Sequence, residues 1–261
     1  MIRHLTAIWS FRHFLLALVR LDLRLRYRRS VLGIGWSLLN PIAMTVVFTI
    51  VFSNLLGDNA ADYAPYLLAG MAIWGFLKES AVQGSRALIA GECYIRQCPL
   101  PYAIYPLRVV LGQAIHFFIA LVVVLALVMV LKRTTAPLEV LWAVAPGVVL
   151  ALIAAWATAT IFAFTNVYFQ DTQHILEVGS QILFYLTPII YKRNVLDGKN
   201  LSWVLDLNPA NLYLDLIRAP LLTGEPPPAD LFLTAGVFTA ALVGLAAGTT
   251  AWLQKKVIFH L

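Results

Sequence analysis

The sequence predicts an all-α integral membrane protein with six transmembrane helices. An amphipathic helix precedes the first span, and short re-entrant helices precede the last. Three observations predict this class. Apolar residues make up 61% of the 261-residue chain and charged residues 12%, about half the charged share of a soluble domain. Six segments hold roughly 20 apolar residues each, enough to cross the hydrocarbon core. Lys and Arg are also unevenly divided between the connections, as the positive-inside bias requires.

Residues 1–29 read as a cytoplasmic interface helix. Ile8, Phe11, Leu15, Leu18, Leu21 and Leu25 recur at spacings of three and four, while Arg12, Arg20, Arg24 and Arg28 fall largely on another face. That pattern suits a helix lying along anionic head groups. A solvated basic N-terminus is the alternative. Arg20, Arg24, Arg26, Arg28 and Arg29 then lead into a run without charge until Asp58, which marks departure from the cytoplasmic face.

The six-span domain covers 30–254, and 255–261 is a cytoplasmic tail. The spans fall at Ser30–Gly57, Ala64–Ser85, Val109–Leu131, within Val140–Gln170, Thr172–Tyr191 and Leu231–Gln254. The fourth region is long enough to begin or end with an interfacial turn. With the N-terminus inside, inside connections carry 13 Lys/Arg and outside connections six, and the C-terminus returns to the cytoplasm. Gly244 and Gly248 in the last span suit close helix packing. No cleavable signal peptide is evident, since Phe14–Val19 is too short for its apolar core. Cys93 and Cys98 fall in a segment placed in the reducing cytoplasm and read as free thiols.

Two connections carry further structure. Residues 83–108 predict a short cytoplasmic helix stopped by Pro99, Pro101 and Pro106. Such a helix either transmits force from a soluble partner or simply joins two spans. Residues 192–230 contain apolar pieces at 201–205 and 211–218, each too short to span and separated by Asn208-Pro209. Two helices dipping into the outer leaflet fit this pattern, and an extramembrane loop with an interfacial helix is the alternative. Pro226-Pro227-Pro228 stiffens the approach to the last span.

The sequence lacks a phosphate loop, a dinucleotide fingerprint, H-E-x-x-H and G-x-S-x-G, so no catalytic, cofactor or metal site is predicted. His116 alone lies deep in a predicted span, where it suits a neutral hydrogen-bonding role. Trp36, Phe48 and Phe52 in the first span, with Tyr168, Phe169, Phe184 and Tyr185 around the fifth, offer ring faces on which sugars stack. Aromatic residues also gather at membrane interfaces for other reasons.

Arg26-Tyr-Arg-Arg-Ser-Val-Leu-Gly-Ile-Gly-Trp-Ser-Leu-Leu-Asn-Pro41 resembles the start of the first span in type 2 ABC transporter permeases. The resemblance is to those exporting polysaccharides and polyol phosphates: O-antigen, teichoic acid and, less closely, capsule. Matches continue in order at Tyr66–Trp74, Leu88-Ile89 through Pro99, Pro106-Leu107, Phe169-Gln-Asp171, Leu186–Tyr191, and Asn208-Pro209 through Arg218. Gln170 departs from the pattern, where the family often has Arg.

The resemblance implies a permease subunit in a bacterial inner membrane, multi-pass, with both termini cytoplasmic. It would work as a homodimer with two copies of a separate ATP-binding cassette ATPase, on which ATP and Mg would bind. A coupling helix at about 86–97 would seat on that ATPase through Arg86, Leu88, Ile89, Glu92, Tyr94, Ile95 and Arg96. The first and fifth spans would line a channel at the dimer interface. Trp203, Asn208, Pro209, Tyr213 and Arg218 would belong to external gate helices within about 194–222. Arg24, Arg26, Arg28 and Arg29 would guide a pyrophosphate-linked lipid glycan. Nucleic acid has no place in this reading. An exporter of a drug or small lipid, a membrane-embedded glycosyl- or acyltransferase, and an ion-coupled transporter are the competing functions.

Overall fold

The computed structural model describes residues 10–57, 59–97, 100–193, 205 and 208–260, and among these the regular structure is entirely helical. The first helix, α1 (Arg12–Arg26), buries Leu15, Leu18 and Val19, with Leu15 and Val19 packed on Ile104 and its neighbours. Its apolar face is therefore narrower than the repeat suggested, because Leu21 and Leu25 stay exposed. Ile8 lies outside the described residues. Arg29 and Gly33, both at positive φ, reverse the chain, and the Ser30 hydroxyl accepts from the Gly33 amide at 3.0 Å.

A 3₁₀ turn at Gly33–Gly35 leads into α2 (Trp36–Leu56), which closes on Gly57 in the left-handed region. The first span accordingly begins with a turn rather than with helix at Ser30. Helix α3 (Ala60–Ser85) starts where the Asn59 side chain accepts from the Ala61 amide at 3.0 Å. It is the buried axis of the fold, with Tyr63, Leu67, Leu68, Ile73, Trp74 and Phe76 all inside.

The predicted helix over 86–97 is two short helices, α4 (Ala87–Ala90) and α5 (Glu92–Gln97). They break at Gly91, where a Cβ would stand 2.5 Å from the Tyr105 ring, so the close approach of that ring selects glycine. Helix α6 (Ile104–Lys132) starts five residues before the predicted span and takes Pro106 into its first turn. A single turn, α7 (Ala136–Glu139), precedes α8 (Leu141–Tyr168), which fills nearly the whole fourth region as one helix with no turn of its own inside it. Ala151, Ala154, Ala155 and Ala159 of α8 let it lie close to α3, and a Cβ on Gly84 would come within 2.5 Å of the Ala159 Cβ.

Helix α9 (Thr172–Leu186) stops five residues short of the expected end of the fifth span. Pro188 disfavours helix at Thr187. The 15-residue helix is about 22 Å long, less than the hydrocarbon thickness. The carbonyls of 187–191 therefore need partners elsewhere. Tyr63 donates to Ile190 O at 2.7 Å, the Tyr66 hydroxyl lies 2.9 Å from both Pro188 O and Tyr191 O, and Arg218 Nη1 donates to Pro188 O at 2.7 Å.

Helix α10 (Ala210–Thr223) buries Tyr213, Leu214, Leu216, Ile217 and Leu221 in the core and ends at Gly224 in the left-handed region. A Cβ there would meet Ala136 at 2.8 Å, so glycine is required twice over. The helix is packed on protein, chiefly against α8 and α3. The first proposed gate segment, 194–205, lies outside the described residues except for the buried Leu205.

Helix α11 (Ala229–Leu253) meets its neighbours through Ala235, Thr239 and Ala246. Gly244 and Gly248 face open space within this chain, contrary to the close packing expected of them, because that face of α11 is turned away from the bundle. Among the described residues, four stretches are long and apolar enough to cross a membrane: Gly33–Ser53, Ile104–Lys132, Leu141–Tyr168 and Ala229–Leu253. The other two predicted spans are the central α3, which carries Asp62, Lys78 and Glu79, and the short α9.

Candidate functional site

Helices α2 and α9 flank α3 and leave a cavity of about 600 Å³ between them, closed behind by α6 and at one end by α1. Its α2 wall is one helical face. Trp36, Asn40, Met44 and Phe48 recur every four residues, and all four line the cavity. From α9 come Ser180, Gln181, Phe184 and Tyr185, and from α3 come Trp74, Gly75, Lys78 and Glu79.

The ring contacts form two groups. Trp74 and Phe184 lie 6.2 Å apart between centroids, Phe184 and Tyr185 5.4 Å, and Phe76 stacks on Phe117 at 4.7 Å. Polar groups interleave with them. Lys78 and Glu79 are 3.7 Å apart, Tyr27 Oη and His116 Nε2 share a hydrogen bond at 3.2 Å, and Arg26 Nη1 donates to Gln113 Oε1 at 3.5 Å. His116 Nε2 thus has a partner on a neighbouring segment, while its Nδ1 is buried without one among the described residues. Apolar rings beside hydroxyl, amide and charged groups can hold an amphipathic solute and exchange hydrogen bonds with it along a path.

The structure thus brings Trp36, Phe48, Phe184 and Tyr185 to one cavity and leaves the other three predicted aromatics apart. Phe52 meets Phe48 edge-on at 5.7 Å but turns toward the core. Tyr168 packs on His260 at 4.6 Å, in a cluster with Val257, and Phe169 is exposed at the α8–α9 turn. Of the four arginines expected at a head group, Arg26 alone lines the cavity, while Arg24, Arg28 and Arg29 are exposed. Trp74, Asn40, Gln181, Lys78 and Glu79 were missed. The four-residue repeat Trp36, Asn40, Met44, Phe48 was visible in the sequence and would have added Asn40 and Met44.

The coupling segment divides by exposure. Leu88 is fully buried and Ile95 nearly so, packed with Tyr105 and Phe164, whereas Arg86, Ile89 and Arg96 are exposed. Arg96 Nε donates to Glu92 Oε1 at 2.8 Å, and Tyr94 meets Phe14 of α1 at 6.0 Å between ring centroids. Leu88 and Ile95 therefore form the seat of the segment rather than its outward face.

At the opposite end, the expected gate residues form a buried polar hub. Asn208 Nδ2 donates to Thr187 Oγ1 at 2.7 Å, and its Oδ1 accepts from the Ala210 amide at 3.1 Å. Tyr213 Oη pairs with Thr239 Oγ1 at 2.8 Å. Arg218 is buried, stacks over the Tyr66 ring and reaches Asp215 at 3.4 Å; Asp215 in turn meets Arg193 at 3.3 Å. Pro209 is exposed at the start of α10, and Trp203 lies outside the described residues.

The four long apolar helices mark a multi-pass membrane protein. The family model described as ABC-2 type transporter matches residues 13–222. The chain belongs to that family, and it is a type 2 ABC exporter permease. Its relatives include proteins named O-antigen export system permease protein RfbA. One from Klebsiella pneumoniae is 27% identical over 236 residues, 89% of each chain. A second from Klebsiella pneumoniae is 26% identical over 195 residues, 75% of this chain and 74% of the relative. One from Myxococcus xanthus is 26% identical over 248 residues, 95% of each.

Proposed function

We propose that this chain is the membrane subunit of an ATP-driven exporter that moves a lipid-linked polysaccharide of the O-antigen type out of the cytoplasm. The carrying observation is the α2–α9 cavity, where aromatic rings alternate with amide, hydroxyl and charged groups while the outer faces of both helices stay uncovered. Only Thr172 of α9 is buried, and α2 exposes Ile42, Val46, Val47, Ile50 and Val51. A second copy set against these faces would close the cavity into a continuous path. Ring faces would stack on sugars of varied identity, and side-chain amides would exchange hydrogen bonds with their hydroxyls.

In this reading α3 and α9 also cross the membrane, which makes six spans with both termini in the cytoplasm. The short helix of α9 is completed by 187–191, whose carbonyls Tyr63, Tyr66 and Arg218 satisfy. Two copies of a separate ATPase bind ATP and Mg and press on α4 and α5 through Ile89, Glu92 and Arg96. The buried Leu88 passes that force to the α6 and α8 side chains beneath it. Asn208, Tyr213 and Arg218 hold the outer gate, and Arg26 meets the pyrophosphate of the lipid carrier at the inner mouth of the cavity.

The test is to delete the gene and locate the lipid-linked polymer. Accumulation on the cytoplasmic side, reversed by the intact chain, is the expected result. Loss of the polymer from every location would instead assign the chain to its synthesis.

A further inference from the structure

Beside the main cavity, and divided from it by Arg26 and Gln113, lies a second pocket of about 360 Å³. It sits where α1, the end of α3, α4 and the start of α6 converge. Its polar lining is Asp22, Arg26, Gln83, Arg86, Arg108 and Gln113. Three guanidinium groups thus face one carboxylate. Gln83 Nε2 donates to Glu79 Oε2 at 3.4 Å, and Glu79 itself is not part of the lining.

Arg108 is the unusual member. It is only 7% exposed. Asp22 Oδ2 approaches its Nε at 3.5 Å as an ion pair, yet the buried Nε–H finds no acceptor among the described residues. A buried guanidinium left so poorly matched is costly, and planar forks of this kind pair bidentately with phosphate oxygens. The rest of the lining, Leu23 and Val109 included, is apolar, and the pocket carries no aromatic ring on which a sugar would stack.

We propose that this pocket binds the phosphodiester head group of an anionic membrane phospholipid. Arg108 and Arg86 grip the phosphate, and the glycerol backbone leaves along Leu23 and Val109 toward the bilayer. Arg108 lies four residues into α6, about 6 Å from its start, the depth of a head group. Basic pockets between transmembrane helices hold anionic head groups in this manner. The bound lipid would clamp α1 to α4, and so tie the interface helix to the segment on which the ATPase is proposed to act. The site rests on the reading that the α1 end lies at the membrane surface, and it requires neither the ATPase nor the glycan.

Native mass spectrometry of the purified full-length chain tests it, with added phosphatidylglycerol or phosphatidylcholine. We expect one phosphatidylglycerol per chain to survive activation that strips phosphatidylcholine. Arg108→Gln and Arg86→Gln should each lower that retained fraction at least tenfold. Arg28→Gln, on the same basic stretch but outside the pocket, should not. Asp22→Asn removes the competing carboxylate and should raise retention; a fall would overturn the proposal. Should Arg108→Gln fail to fold, the retained fraction in Arg86→Gln, whose side chain is exposed, decides between binding and its absence. Equal loss in all three arginine variants would reveal diffuse surface attraction instead. Retention of a polyprenyl pyrophosphate but not of phosphatidylglycerol would assign the pocket to the substrate. Full displacement by inorganic pyrophosphate would make it a site for soluble anions. Each of these three outcomes overturns the proposal. Export that fails while the lipid remains bound would count against the exporter reading alone.

Discussion

Arg218 Cζ lies 4.1 Å from the centroid of the Tyr66 ring, and both side chains reach the Pro188 carbonyl. One pair therefore joins α10, α3 and the non-helical end of α9. Arg218→Leu should destabilise the purified chain by about 2–3 kcal/mol, because it strips a charged donor from a buried carbonyl. Tyr66→Phe keeps the ring and should cost about 1 kcal/mol through its hydroxyl alone. A double-mutant cycle of Tyr66→Leu with Arg218→Leu, read by denaturation in mild detergent, should show coupling of about 1–2 kcal/mol for a desolvated cation–ring contact. Strict additivity would remove the stack from the account.

Gly84 makes a similar argument about volume. Its Cβ would stand 2.5 Å from the Ala159 Cβ and 3.1 Å from its Cα, and the latter cannot rotate away. Gly84→Ala should therefore destabilise by about 1–3 kcal/mol, the usual cost of overpacking. Ala159→Gly in the same chain should recover most of that loss, measured by thermal unfolding of the double variant beside both singles.

Most of the spans were legible because hydropathy records what lipid demands of a helix surface. Backbone satisfaction is another matter. By composition the fifth span continues through Thr187-Pro188 to Tyr191, since all these residues are compatible with lipid. What permits the helix to stop at Leu186 is a set of donors, Tyr63, Tyr66 and Arg218, that lie far away in sequence. The break at Gly91 was likewise hidden, because its cause is the Tyr105 ring packed from α6. At the cavity, the aromatic candidates on α2 and α9 were readable as residue types, but their directions were not. Phe48 and Phe52 are one turn apart, and only Phe48 faces the cavity.

The exposed Ile89 and buried Leu88 separate partner contact from folding. Ile89→Asp should leave unfolding unchanged and reduce co-purification of the ATPase several-fold, because an aspartate would have to be desolvated at the contact. Leu88→Ala should cost about 2–5 kcal/mol by opening a cavity beneath α4, with loss of the partner only as a consequence of lost stability. Wild-type recovery of the ATPase with Ile89→Asp would move the contact away from α4.

The cavity aromatics should matter to transport in proportion to their access to the solute. Trp36 is 54% exposed, so Trp36→Ala should cost little stability while lowering surface polymer at least tenfold. Trp142 is 70% exposed, at the start of α8 and away from the cavity, and Trp142→Ala should change neither quantity. Equal loss of export in both variants, at equal expression, would point to a general interfacial role for tryptophan in this chain.

A dimer closing the α2–α9 face makes a geometric demand that a disulfide can read. Val47 on α2 is 52% exposed and Leu233 on α11 is 69% exposed, so accessibility alone does not favour Val47. In a chain whose Cys93 and Cys98 are replaced by Ser, Val47→Cys should give an oxidised covalent dimer in membranes, whereas Leu233→Cys should not. A disulfide forms without distortion only when the two Cα atoms come within about 7 Å, which random collision in the bilayer does not sustain. Efficient bridging through Leu233→Cys with none through Val47→Cys would place the partner copy against α11, and the α2–α9 cavity would then face lipid.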